Sequence, residues 1–251
     1  MVKKLLHLLL VTSTCTGMVG LTIEGWAADF PFRAGEKLVY RISWSKYLEA
    51  GSVELLTTQA SPSTPGTLRL QLKATTTSVI SSIYPFKDEF ASLFDPTAGL
   101  PSHFEKNFVE RKRIVRETVD FDHFGQSAIV FTPGNTRRKL PVEWGTQDPL
   151  SALYLIRGLT LKPGLQVSFP VLDGGKVYRV DLQVTGNDLI STQAGSFPSQ
   201  RLEVRLRHGD TFLNDKRITL WVSNDDRKLP VLAAVNLNFG SVLIELTSRS
   251  N

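Results

Sequence analysis

The residues that could do chemistry in this chain are few and scattered. Of its 4 histidines, His7 lies in the N-terminal leader and His103, His123 and His208 in the body. None of the three has another histidine or a cysteine at ligand spacing. Asp120 and Asp122 flank His123, as an Asp-x-Asp-His metal site would, but Phe121, Phe124 and Gly125 beside it read better as a hairpin corner. No serine sits in a Gly-x-Ser-x-Gly elbow, so a nucleophile would need partners assembled from distant segments. The carboxylates at Asp88-Glu89, Asp215 and Asp225-Asp226 suggest a paired acid and base only weakly. Adjacent residues rarely face each other across a cleft, and Asp225-Asp226 lies between two strand-like runs, as turn residues do. No catalytic, metal or cofactor residue is assigned, and no cofactor is expected. The balance leans away from an enzyme; a hydrolase of cell-wall or polysaccharide material ranks third among the readings.

Cationic residues are the better candidates for binding. Arg111, Lys112, Arg113 and Arg116 form one cluster and Arg137-Arg138-Lys139 another. Both suit strand edges guarded by charge, and Arg111, Arg113 and Arg116 also suit a surface that meets anionic lipid or glycan. Arg157 stands at the end of a helical segment on its apolar side, one turn from Tyr154. A guanidinium placed there needs a carboxylate of the chain or a ligand anion. Tyr154 and Arg157 are therefore the candidate ligand-binding pair.

The elements that position these residues follow a leader. Lys3 and Lys4, the apolar run Leu5 to Val11 and the small-x-small end at Gly25-Trp26-Ala27-Ala28 read as a signal peptide over residues 1–28. Thr12, Ser13, Thr14 and Thr16 break the run too early for a spanning helix. Cys15 lacks a lipobox and is the only cysteine, so the exported domain, 29–251, must hold together by its core without a disulfide. The expected address is the periplasm. The leader's Lys3, Lys4 and Glu24 supply +1 of the net charge of +5. The remaining bias is too mild for nucleic acid.

Period-two alternation runs through the body. Leu38, Tyr40, Ile42 and Trp44 share one face; Leu68, Leu70, Leu72 and Ala74 another; Val180, Leu182 and Val184 a third. Turn residues such as Asp95-Pro96-Thr97-Ala98-Gly99 and Asp173-Gly174-Gly175 punctuate the runs. The pattern predicts a mostly β, single curved antiparallel meander of about a dozen strands. It should close into a barrel or half-barrel, with one short helix at residues 148–157. There Asp148 is an N-cap, Pro149 the first helical residue and Gly158 the stop, with Leu150, Leu153, Tyr154 and Arg157 as the buried stripe. The charges of Arg111 to Glu117 on both faces of one strand argue against a membrane barrel.

Three ordered segments resemble an exported bacterial family, the domain of unknown function 3108. They are Phe32-Arg33-Ala34-Gly35-Glu36-Lys37-Leu38-Val39-Tyr40 with Gly51 after it, Asp148 to Tyr154 with Arg157, and Trp221 to Val231. The resemblance implies a curved β-sheet or barrel in a Gram-negative periplasm and carries no activity. The expected role is binding an amphipathic envelope molecule, a lipid or lipid-linked glycan, in the sheet's concavity. An envelope scaffold that binds a protein partner is the alternative. A large apolar interior would favour the first, and a filled one the second.

Overall fold

The computed structural model describes residues 30–44, 48–77, 86–110, 113–135, 137–209, 211–212, 218–237 and 240–250, with the side chains of residues 110, 113, 237 and 240 outside the description. Its fifteen strands are β1 (Lys37–Trp44), β2 (Leu48–Gln59), β3 (Leu68–Thr76), β4 (Phe86–Asp95), β5 (Leu100–Glu110), β6 (Arg113–Asp122), β7 (Ser127–Phe131), β8 (Arg138–Pro141), β9 (Gln166–Asp173), β10 (Lys176–Thr192), β11 (Gly195–His208), β12 (Thr211–Phe212), β13 (Ile218–Ser223), β14 (Pro230–Leu237) and β15 (Gly240–Ser250). One helix, α1 (Pro149–Gly158), separates β8 from β9.

All strands belong to one antiparallel sheet in the order β8-β7-β6-β5-β4-β3-β2-β1-β15-β14-β13-β11-β10-β9, with β12 beside β11. Neighbours in sequence are neighbours in the sheet, as the hairpin turns require. The exceptions are β11, which pairs with β13 past the short β12, the edges β8 and β9, which do not pair with each other, and the join of first and last, where β1 pairs with β15, Ile42 opposite Ile244. The sheet is therefore barrel-like but not closed, because β8 and β9 are its two edges. The opening falls where the meander is interrupted by α1.

Alternation sets the inward face. Leu38, Tyr40 and Ile42 of β1, Val53, Leu55 and Thr57 of β2, and Leu68, Leu70 and Ala74 of β3 are buried. The sheet's twist brings these rows together around the helix. Gly51 permits one close approach, since a Cβ there would stand 2.2 Å from the Thr75 carbonyl oxygen.

The helix is buried on more than a stripe. Leu150 and Tyr154 join the cluster formed mainly with β1 to β7, to which β14 and β15 add Val231, Val242 and Leu246, while Ala152, Leu155 and Ile156 join the one formed with β9 to β13. Leu153, expected to be buried, is half-buried and touches both clusters. α1 is thus a core helix wedged between two halves of the sheet rather than a lid on one face. Gly158 also acts differently from expectation. The helix continues through it to an extended Leu159 at φ −74°. The glycine is needed because a Cβ would meet the Phe30 ring at 2.2 Å. No helix among the described residues is long and apolar enough to cross a membrane.

Candidate functional site

Both ends of α1 are tied into the sheet by polar contacts. At the N-terminus the Asp148 carboxylate accepts from the Leu150 and Ser151 N–H groups at 2.8 and 2.9 Å, and Ser151 Oγ accepts from the Asp148 N–H. Ser92 of β4 donates to the other Asp148 oxygen at 2.6 Å. Burial pushes the Asp148 carboxyl up to about 6, against those donors, which pull it down.

At the other end lies Arg157. Its Nη1 and Nη2 donate to the two Glu36 oxygens at 2.6 and 2.8 Å. Nε donates to the Lys228 carbonyl and Nη2 to that of Arg227, both at 3.1 Å. The guanidinium lies 5.0 Å from the Phe32 ring and 5.2 Å from that of Tyr154. Tyr154 Oη and Thr57 Oγ1 share a hydrogen bond of 3.1 Å. Burial opposes the Arg157 charge, yet Glu36 outweighs it and the guanidinium pKa is raised. Burial also pushes the Tyr154 hydroxyl up to about 12.

The anion that Arg157 needs is therefore Glu36 of the same chain. Arg157 and Tyr154, expected as a ligand-binding pair, are buried and bonded to the protein itself, so the sheet interior is not open to a ligand there. The three segments that carry the family resemblance meet at this point. Glu36 and Phe32 come from the first, Tyr154 and Arg157 from the second, and the Arg227 and Lys228 carbonyls from the third. Lys228 completes the node by donating Nζ to the Leu159 carbonyl at 2.7 Å, with its own φ at +42°.

A second ionic cluster closes the opening of the sheet. The tip of the β9–β10 hairpin lies on the inward face of β5 and β6. Lys106 Nζ donates to Asp173 at 2.6 Å, and the Gly174 N–H donates to Glu117 at 3.1 Å. Asp88 of β4 is buried on the same inward face in the next row, opposite Phe108, where no close hydrogen bond reaches its oxygens and the Val109 N–H acts on it more weakly than burial. Burial pushes its carboxyl up to about 7, opposed by the Lys106 charge. Burial raises Glu117 as well. The buried Tyr178 hydroxyl is also unpartnered, and its pKa is raised by burial and by the charges of Asp173 and Glu117. The sequence singles out Asp88 only as a neighbour of Glu89, which lies on the opposite face, although a signal for the cluster with Lys106 and Glu117 was present. Asp88 lies between Phe86 and Phe90, Lys106 between Phe104 and Phe108, and Glu117 between Val115 and Val119, each at spacing two on the apolar face of its strand.

The outward face of β3 to β7 carries a groove of about 480 Å³. Register places Gln71, Ala91, Glu105, Thr118 and Phe131 in one row across it, and Lys73, Glu89, Asn107 and Arg116 in the next. Ala91 is the short side chain among long ones and leaves the depression. Arg69 pairs with Glu105 at 3.1 Å and Lys87 with Glu89 at 3.0 Å. Arg116 is exposed beside them and lines the groove. Arg111 lies outside the described residues, as do the Arg113 side chain and Asp215.

The remaining sites resolve into structure. His103 Nδ1 meets Asp120 at 2.6 Å on the outer face, and His123 Nε2 meets the Pro101 carbonyl at 2.7 Å. Gly125 N–H donates to Asp122 at 2.8 Å, so the His123 region is a hairpin corner. No group of His, Cys, Asp or Glu suited to a metal ion occurs among the described residues. Asp225 accepts from Ser223 Oγ within a turn. Arg138 and Lys139 stand exposed on the edge strand β8, and Arg137 just before it.

An open antiparallel barrel threaded by one core helix defines a class of β-barrel-like proteins. A Brucella abortus protein of that description, containing the domain of unknown function 1849, superposes with a TM-score of 0.58 at 8% identity, over 90% of this chain and 98% of its own. A Bacteroides fragilis protein described as exported, with a YmcC-like fold, gives 0.39 at 8% identity over 90% and 100%. The hypothetical protein CT021 of Chlamydia trachomatis gives 0.38 at 13% identity over 87% and 88%. No curated protein matches the sequence. Residues 39–247 match the domain of unknown function 3108, and the chain belongs to that family.

Proposed function

We propose that this protein is an extracytoplasmic, non-enzymatic binding module that meets the anionic glycan part of an amphipathic envelope molecule on the outer groove of β3 to β7. The filled interior counts against the binding in the concavity expected from the sequence, and leaves the outer face as the place of contact. The contrast between the two faces of the sheet carries this reading. The inward face is filled by α1 and two apolar clusters, whereas the outward face keeps a groove in which Arg69, Lys73 and Arg116 stand among Glu89 and Glu105, beside Asn107 and Phe131. Cations suit carboxylate or phosphate substituents, amide and hydroxyl groups suit sugar hydroxyls, and the Phe131 ring, with the Arg137 guanidinium 5.9 Å from its centre, adds an aromatic edge to the groove. The leader of residues 1–28 supports export, and periplasmic placement follows from it.

The test is titration of the purified protein with envelope oligosaccharides that carry acidic substituents, followed by NMR. Shifts should cluster on β3 to β7. Lys73→Glu/Arg116→Glu should abolish them without changing the melting temperature. Shifts confined to residues around α1, or unchanged binding by the double variant, would overturn the reading.

A further inference from the structure

The opening between β8 and β9 is where no ladder of backbone hydrogen bonds joins the two ends of the described sheet. One isolated bridge ties β9 to the segment before α1, with the Gln147 N–H donating to the Pro170 carbonyl at 2.9 Å and the Leu172 N–H to the Gln147 carbonyl at 2.8 Å, and side chains hold the hairpin tip beyond it. On the strand side stand Asp88 of β4, Lys106 of β5 and Glu117 of β6; on the hairpin side stand Asp173 and Tyr178. Three carboxyl groups thus face one amine. Two further charged or titratable groups approach the hairpin. Arg138 of β8 reaches its turn, where a Cβ on Gly175 would stand 2.0 Å from the guanidinium, and the His208 ring of β11 lies 5.2 Å from that of Tyr178.

We propose that this seam is a proton-controlled closure, in which Asp88 and Glu117 hold protons while the β9–β10 hairpin is docked on β5 and β6, and lose them to solvent when it is released. Lys106 balances one negative charge, and Asp173 takes it through the 2.6 Å ion pair. A carboxylate at Asp88 would be a buried charge supported only by the Lys106 charge and the nearby Val109 N–H, and burial outweighs both. A protonated Asp88 is neutral and fits the site as it stands. Glu117 accepts only the Gly174 N–H, through one oxygen, so its other oxygen can carry the proton. When both acids ionise, three carboxylates surround one ammonium at low dielectric. Mutual repulsion then opposes docking, and separating the hairpin from the strands hydrates them all. The raised carboxyl pKa values of Asp88 and Glu117 agree with this order of events. The Arg138 charge, exposed on the edge, opposes release only in part. The seam lies beneath the outer groove and shares Lys106 and Glu117 with its lining, but its closure is read at the hairpin without any glycan present, so the two readings fail separately.

The experiment is hydrogen exchange of the purified protein from pH 5 to 9, corrected for intrinsic exchange, together with a ¹³C titration of the Asp88 carboxyl. Protection of the Gly174 N–H, which Glu117 accepts in the docked state, should fall about tenfold or more across that range, while β1 and β15 stay protected. Asp88→Asn cannot ionise and should keep the hairpin protected at pH 9. Lys106→Gln should shift its release to lower pH. An Asp88 midpoint below pH 5 in the unmodified protein would overturn the proposal, whatever the variants do. Equal loss of protection in Asp88→Asn and the unmodified protein would overturn it too.

Discussion

The node at Arg157 and the seam at Lys106 are both buried ionic sites under the same sheet, and they are built on opposite principles. At the node one cation meets one carboxylate in a two-point fork, and two backbone carbonyls take two of its other N–H groups. Charge balances there, although the buried Tyr40 hydroxyl beside it lacks a partner. The site therefore behaves as a fixed pin that locks α1 to the residue before β1 and to the β13–β14 turn. At the seam one cation meets three acids, and the Asp88 oxygens and Tyr178 hydroxyl lack close hydrogen bonds. The first arrangement secures register and the second makes a joint sensitive to its proton content. Burial alone predicts neither behaviour. The ratio of donors and charges within each site decides it.

Removing Glu36 should give the largest effect, because Arg157 would remain buried without its anion. Glu36→Ala is expected to lower unfolding free energy by about 3–5 kcal/mol in urea titrations. A Glu36→Leu/Arg157→Met double variant should recover much of that loss, and if it does not, the pin contributes more than charge balance.

The seam should respond to pH where the node does not. Asp88 at about 7 and Asp148 at about 6 both lie above their ordinary 3.8, and Glu117 is raised in the same sense. In the folded state these groups bind protons more tightly than in the unfolded chain. The stability they add is therefore fully present below about pH 4 and is lost as pH rises through 6 to 7. Unfolding free energy should drop by roughly 3 kcal/mol between pH 4.5 and 8. In Asp88→Asn the slope should shrink; an unchanged slope would place the titration elsewhere.

Asp148→Ala removes the N-cap and leaves the Leu150 and Ser151 N–H groups without their acceptor. A loss of about 0.5–2 kcal/mol is expected by thermal unfolding, well below that of Glu36→Ala, because only one end of the helix is affected. The smallest change should come from the outer face. Arg69→Ala breaks a half-exposed pair with Glu105 and should cost about 0–1 kcal/mol, while weakening any ligand held in the groove. A larger stability loss would mean that the outer pair is structural.

Much of the fold was legible from local pattern. Alternation in Leu38 to Trp44 and Leu68 to Ala74 specified strands with one buried face, the turn residues made neighbours of successive strands, and Asp148-Pro149 marked the start of α1. These are properties of short segments, and short segments determine them. The node was legible in part. Arg157 in an apolar stripe announced the need for an anion, but the sequence offered no means of choosing Glu36, 121 positions away, over a ligand. The seam could have been read as ionisable residues at Asp88, Lys106 and Glu117 among apolar neighbours at spacing two. That these three face Asp173 depends on how the sheet curls and where it stays open. Sequence by itself determined the β meander, the helix, its caps and the charged rows. Tertiary structure decided that β1 joins β15, that α1 is buried between both halves, and which charges meet. Those pairings depend on twist accumulated over fifteen strands, and no local stretch of the chain encodes that sum.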